Sequence, residues 1–173
     1  LYENSPVLYM GSFSKTLLPA LRIGYLVVPE AVVEPLLWAK QISGGETPLL
    51  TQATIAEFIE SGQFTRHLRR MRQLYRDKWQ RFQNEVIDKL GGRAQPVAES
   101  AGMHLVLEGE FDDVALSQWL KTRGFGSTPL SAHFLGESSR TGLVMGFASA
   151  NEREITECVT DLRARLANQS LSN

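Results

Sequence analysis

The residues with the clearest chemical potential lie within one stretch, Leu8 to Pro29 (LYMGSFSKTLLPALRIGYLVVP). Lys15 stands in it with Ser12 three residues before, Ser14 adjacent and Arg22 seven residues after. A lysine amine is a nucleophile only when neutral. Its ordinary pKa is about 10.4, and burial or nearby cations bring catalytic lysines to roughly 7–8. Such an amine can form a Schiff base with a carbonyl compound. An arginine fork and hydroxyl donors are the groups that fix a phosphate dianion. The set therefore suits a phosphorylated carbonyl ligand. By residue type alone it also suits a solvated surface loop, the commoner setting for lysine.

The elements around this stretch read as α/β. Val7–Met10 is a short apolar run ending at Gly11, expected as a buried strand. Ser12–Arg22 contains Pro19 and reads as a loop, and Ile23–Val28 as the next strand. Lys15 then lies in a loop following a strand, where α/β folds keep ligands. Glu30–Ile42 follows Pro29 and carries Val32, Val33, Leu36 and Leu37 at helical spacing, up to the break at Gly44-Gly45. A second helix starts after Thr47-Pro48 and runs to Ile59, ending or bending at Gly62. From Gln63 to Leu90 the apolar residues Phe64, Leu68, Met71, Leu74, Tyr75, Phe82, Val86 and Leu90 predict one long helix, stopped by Gly91-Gly92.

A smaller α+β pattern follows. It has strands over Met103–Leu107 and Leu143–Ala148, and a strand or extended loop over Gly124–Leu130. A helix over Val114–Thr122 is capped by Asp112 and Asp113, and another over Glu152–Leu166 by Asn151, with a fraying tail Ala167–Asn173. The expected division is residues 1–62 as the end of a larger layered unit, 63–91 as a connecting helix, and 92–173 as a small α+β domain.

Composition narrows the function classes. The chain has 173 residues, 43% of them hydrophobic, with 18 Lys and Arg against 19 Asp and Glu for a net charge of -1. This excludes a disordered acidic tail, a fibrous repeat and a disulfide scaffold, and gives no general pull toward nucleic acid. No apolar run approaches the ~20 residues of a membrane helix. The single Cys158 falls on the apolar stripe of Ile155, Val159, Leu162 and Leu166 and reads as an inert helix residue in a reducing, cytoplasmic setting. Arg66, His67, Arg69, Arg70, Arg72, Arg76, Lys78 and Arg81 crowd the long helix. Scattered between apolar positions, they suit salt bridges and a solvated face better than direct nucleic-acid contact. His104 reads as a hydrogen-bonded strand histidine, and His133 has no assigned part. No spacing of His, Cys, Asp or Glu resembles a metal site, and no phosphate-binding loop or dinucleotide fingerprint occurs.

The run GSFSKTLLPALRIGYLVVP resembles the cofactor-lysine motif of fold-type-I pyridoxal-phosphate aminotransferases. More narrowly, it is similar to the MocR subfamily of GntR-type bacterial regulators, which fuse a winged-helix DNA-binding domain to an aminotransferase-like domain. The resemblance extends through Gln52–Phe58, GQFTRHLRRMRQLY (62–75), AGMHL (101–105) and GLVMGFA (142–148). It implies a C-terminal fragment of the fold-type-I fold, with the end of the large domain and the small α+β domain. It also implies that Lys15 binds pyridoxal 5'-phosphate covalently and that Ser12, Ser14 and Arg22 bind its phosphate; Tyr25, within the motif, reads as a packing residue. The strand arginine that holds a substrate α-carboxylate in the aminotransferases is replaced by apolar Val144, with Arg140 four residues upstream as the substitute candidate. The family's pyridine-nitrogen carboxylate, stacking aromatic and Gly-rich turn lie far upstream of the lysine, and only fourteen residues precede Lys15 here.

The chain, which opens LYENSPVLYM without an initiator Met, is thus expected to be part of a longer cytoplasmic homodimeric regulator that senses an amino compound. The missing partner is an N-terminal half with the winged helix, and this portion by itself would hold the cofactor weakly or not at all. Two alternatives stand beside that reading: a genuine aminotransferase acting on an amino acid and a keto acid, and a dimerisation domain with a vestigial site.

Overall fold

The computed structural model describes residues 7–97, 102–136 and 139–169. The first residues, Ala101 of the AGMHL motif and the last residues of the polar tail lie outside them. The chain divides into two compact units, Leu1–Arg70 and Met71–Asn173.

The first unit begins with β1 (Tyr9–Ser12) and β2 (Gly24–Val27), paired antiparallel with Ser12 opposite Gly24 and Gly11 opposite Tyr25. The connection between them holds a 3-10 turn at Pro19–Leu21. Helices α1 (Val33–Ile42) and α2 (Leu49–Glu60) follow, α1 entered through a 3-10 turn at Glu30–Val32. The long helix α3 runs over Gln63–Leu90, and its first residues belong to this unit. Phe13, Ile23 and Ile55 form the buried cluster, with Leu17, Leu21 and Phe64 packed against it. The expected buried strand at Val7–Met10 is corrected here: the strand forms two residues later, and Val7, Leu8, Tyr9 and Met10 are exposed. The apolar run records a strand of the type that larger sheets cover on both faces. Within this two-stranded ribbon, nothing among the described residues buries it.

The second unit is a four-stranded antiparallel sheet in the order β3-β4-β6-β5, made of β3 (Gln95–Pro96), β4 (His104–Glu108), β5 (Ser127–Pro129) and β6 (Gly142–Gly146). Leu105 pairs with Met145 and Leu107 with Leu143. These four side chains share one face, as alternation requires. Against them pack Phe82, Val86 and Leu90 of α3, Leu116 and Leu120 of α4 (Asp113–Thr122), and Ile155, Cys158, Val159, Leu162 and Leu166 of α5 (Glu152–Gln169). Both shorter helices start on a side-chain cap. Asp112 accepts from Ala115 N at 2.9 Å. Asn151 and Glu154 form a reciprocal pair, each side chain bonding the other's backbone N–H at 3.0 and 2.7 Å. Helix α5 continues to Gln169, so part of the expected fraying tail is helical.

One buried carboxylate organises the β5–β6 side of the sheet. Asp113 accepts from the backbone N–H of Ser131 (2.9 Å), the Ser131 hydroxyl (2.8 Å) and the N–H of Gly142 (3.2 Å). Burial by itself pushes its pKa up. The hydrogen bonds from Ser131, Gly142 and Val114 outweigh that and hold it below the ordinary carboxylate value. A carboxyl with a lowered folded pKa contributes stability that is present above its unfolded value, about 3.9, and lost as the pH falls through the folded one. Asp113→Asn should therefore lower unfolding free energy at pH 7 by about 1–3 kcal/mol, because a buried donor loses its acceptor. Urea melts repeated below about pH 4 should show the difference from the unsubstituted protein narrowing.

Candidate functional site

The connection between β1 and β2 is closed by a small apolar clasp. Phe13 N–H donates to Ile23 O at 3.1 Å, and both side chains are buried. Phe13 stacks edge-on against Phe64 at 5.8 Å between ring centres and lies 5.3 Å from the Tyr25 ring. Burying Phe13 and Ile23 leaves their sequence neighbours outside: Ser12, Lys15 and Arg22 are exposed and Ser14 is half-buried. The three hydroxyl and amine candidates thus leave one end of the connection and Arg22 re-enters at the other, beside the clasp.

Local hydrogen bonds fix the turn that carries Lys15. Leu17 N–H reaches Phe13 O at 2.8 Å, closing one helical turn around Ser14, Lys15 and Thr16. Ser14 N–H donates to Ser12 Oγ at 3.1 Å, so Ser12 keeps its own O–H for an outside acceptor. The turn cannot lengthen into a helix. Pro19 has no N–H for the Lys15 carbonyl, and Leu18 is extended at φ −144°, ψ 127°.

Arg22 adopts a left-handed backbone with φ 50°, ψ 35°, its N–H bonded to Pro19 O. It is the one non-glycine residue with positive φ among the described residues. A bulky residue held there stores of order 1 kcal/mol or more, and such strain concentrates at functional sites. Tyr25 lies across Gly11, where any side chain would collide with the Tyr25 ring. A hydrogen bond with Tyr9, then burial and repulsion from the same partner, push the Tyr25 hydroxyl pKa up.

The donor set of an ammonium, a guanidinium and two hydroxyls fits a phosphorylated aldehyde such as pyridoxal phosphate, with the amine for the carbonyl and the rest for the phosphate.

The other candidates lie on α3 and in the second unit. Arg140 forms an ion pair with Glu108. Val144 sits between Val106 and Thr128 in the sheet register, on the face opposite the packed helices. Of the basic residues on α3, Lys78 donates to Ala148 O at 2.7 Å and Arg81 pairs with Glu152 at 2.8 Å, while Arg66, Arg69, Arg70, Arg72 and Arg76 are exposed. His133 Nε2 lies 3.3 Å from Thr128 Oγ1. No cluster that could hold a metal ion occurs among the described residues, and no helix among them is long and apolar enough to cross a membrane. Sequence reasoning grouped His67 with the basic face of α3. The structure instead places its Nε2 2.9 Å from Thr16 O, beside Lys15. The signal was the position of His67 one helical turn after Phe64, on the same face of α3.

The two-stranded ribbon, long helix and helix-covered antiparallel sheet match part of the fold-type-I aminotransferase fold. The alpha-aminoadipate aminotransferase LysN of Thermus thermophilus, solved with N-(5'-phosphopyridoxyl)-L-leucine, superposes on 96% of this chain and 43% of its own, with a TM-score of 0.79 and 25% identity. The sequence profile of aminotransferase class I and II matches residues 1–166, and the chain belongs to that family. Its curated relatives include transcription regulators. The probable rhizopine catabolism regulatory protein MocR of Rhizobium meliloti is 33% identical over 94% of this chain and 33% of its own length. The uncharacterized HTH-type transcriptional regulator YdeL of Bacillus subtilis is 31% identical over 94% and 35%. The chain thus spans about a third of the length of these relatives.

Two measurements test the local physics. Glycine occupies the left-handed region at no steric cost, so Arg22→Gly should be more stable than Arg22→Ala by about 1 kcal/mol in chemical denaturation. Cys158 is buried, and burial followed by the Asp161 charge pushes its thiol up to about 12. It should resist a thiol reagent at neutral pH in the folded protein and react once denaturant is added.

Proposed function

We propose that this chain is the effector-sensing, pyridoxal-phosphate-binding part of a bacterial GntR/MocR-type transcription regulator. The observation that carries the reading is similarity over 94% of the chain to a regulator, MocR, joined to an exposed Lys15 turn flanked by a strained arginine. In this reading Lys15 supplies the amine that anchors the cofactor aldehyde. Arg22, Ser12 and Ser14 hold its phosphate, the guanidinium by a charge-assisted fork and the hydroxyls as neutral donors. When bound, pyridoxal phosphate supplies a carbonyl equivalent and an electron sink for an amino compound. The whole protein would be a cytoplasmic homodimer in which a winged-helix domain outside this chain contacts DNA. An amino-compound effector would shift the balance between its DNA-binding arrangements through differential affinity. The domain roles follow: residues 1–62 end the large cofactor-binding domain, 63–91 connect, and 92–173 form the small domain.

A second reading, a genuine aminotransferase, has the LysN likeness in its favour. Two features favour sensing over ordinary transamination of α-amino acids. Val144 offers no charge where a strand arginine would hold a substrate carboxylate, and Arg140 is engaged by Glu108. In the third reading the unit only dimerises and the Lys15 turn is vestigial.

Borohydride reduction of the intact protein, followed by peptide mass analysis, separates these readings. The cofactor should be fixed on Lys15, and Lys15→Ala should fix none. Arg22→Gly should fold normally yet bind pyridoxal phosphate roughly 10- to 100-fold more weakly, the loss of a charged hydrogen-bond pair. Fixation on another lysine, or none in the unsubstituted protein, overturns the proposal. Turnover of an amino donor with a keto acid would move the assignment to the enzyme.

A further inference from the structure

We infer that His67 is a positioning residue for Lys15, acting through the carbonyl of Thr16. The inference rests on the reading of Lys15 as the cofactor lysine, but its geometric basis is independent of any ligand.

The turn Phe13–Leu17 is a single helical turn, and such a turn leaves its last carbonyls without the N–H groups that a longer helix would place four residues on. Leu18 turns away into an extended conformation, and the 3-10 turn at Pro19–Leu21 uses its own bonds, Leu21 N–H to Leu18 O and Arg22 N–H to Pro19 O. Thr16 O is therefore an acceptor at the point where the local chain stops supplying donors. A partly buried carbonyl in that position needs a partner. His67 Nε2 supplies it at 2.9 Å, from a position 51 residues further along the chain. Because a carbonyl only accepts, the proton of the neutral ring must sit on Nε2.

His67 is itself held in place. It lies one turn after Phe64 on α3, and the Phe58 ring is 6.4 Å from its own and 6.2 Å from that of Phe64. Phe64 in turn packs on Phe13. The same face of α3 thus grips the Lys15 turn twice, through an apolar contact at Phe13 and a polar one at Thr16, on either side of Lys15. Phe13 and Leu17 anchor the turn by apolar packing, which has no direction. The bond from His67 is directional and fixes the Thr16 carbonyl, and with it where the lysine stem leaves the backbone. Holding a nucleophile in one place before its ligand arrives is how a scaffold avoids an ordering cost at binding.

The test compares His67→Gln, whose side-chain amide can reach Thr16 O, with His67→Leu, which cannot donate. In the intact protein without cofactor, hydrogen exchange of the amides of residues 13–18 should be faster in His67→Leu by roughly three- to tenfold and near the unsubstituted rate in His67→Gln. With pyridoxal phosphate added, borohydride fixation on Lys15 should slow in His67→Leu and recover in His67→Gln. Equal exchange in all three proteins overturns the inference. So does a loss that His67→Gln fails to restore. If the unsubstituted protein fixes no cofactor, the functional reading fails while the exchange comparison still decides the clamp. A measurement that needs no variant is the nitrogen shift of His67 in protein labelled at histidine. The Nε2–H tautomer is expected, and a neutral Nδ1–H tautomer overturns the inference even if His67→Leu does not fold.

Discussion

The geometry of the candidate site follows from the burial of two side chains, Phe13 and Ile23, joined by one backbone hydrogen bond. A segment that must return to its starting strand while hiding these two residues has little choice about its other side chains. Ser12 and Arg22, each next to a buried residue, face out. The nine residues between the clasp points are too few for a stable helix and contain Pro19, so they resolve into one helical turn and one 3-10 turn. Arg22 is where the 3-10 turn must bend back toward Ile23, and its left-handed backbone is the consequence. Strain at a large charged residue persists only where surrounding structure over-determines it. Here the surroundings are the clasp and the Pro19 carbonyl.

The second unit shows how charge is disposed when it is structural. Lys78 and Arg81 on α3 meet Ala148 O and Glu152, and Arg123 forks onto Asp161 with bonds of 3.0 and 3.3 Å. The two exposed ion pairs, Arg81–Glu152 and Arg123–Asp161, add little stability each, roughly 0–1 kcal/mol. The core of Leu105, Leu107, Leu143 and Met145 under three helices does most of the holding. The Glu108–Arg140 pair belongs with this structural set, since it joins the end of β4 to the segment leading into β6. A carboxylate ligand competing for Arg140 would have to displace Glu108, which is why the arginine contributes little to the case for transamination.

Much of this architecture was legible in the sequence because it is periodic or punctuated. The stripe from Phe64 to Leu90 and the glycines behind it mark α3 from Gln63 to Leu90, and both glycines take positive φ. Asp112 and Asn151 mark helix starts because their side chains satisfy otherwise unpaired N–H groups. Strand β3 left no signal: two residues, one a proline, carry no alternation. The tie between His67 and Thr16 was hidden for a different reason. Local spacing records which face a residue occupies, while the acceptor it meets is set by tertiary packing across 51 positions. In the run RHLRRMR a histidine reads as one more base among arginines. Likewise the Lys15 motif names residue types but cannot show that Arg22 is strained.

The exposed apolar ribbon links fold to function most directly. Leu8, Met10 and Leu26 are more than half exposed, Met10 at 78%. A two-stranded ribbon is marginal in water, and a sheet open on one face alternates apolar with polar residues. The unbroken run Val7–Met10 has instead the composition of a strand covered on both sides. The chain spans about a third of the length of the regulators MocR and YdeL, so there is ample sequence in such proteins to supply that cover. On the proposed reading, the chain that covers β1 and β2 also brings the remaining groups to the cofactor. Completing the hydrophobic sheet and completing the binding site are then one event, since both depend on the same strands. The Lys15 turn, fastened by its own clasp and by α3, is the part of the site that this stretch of chain specifies by itself.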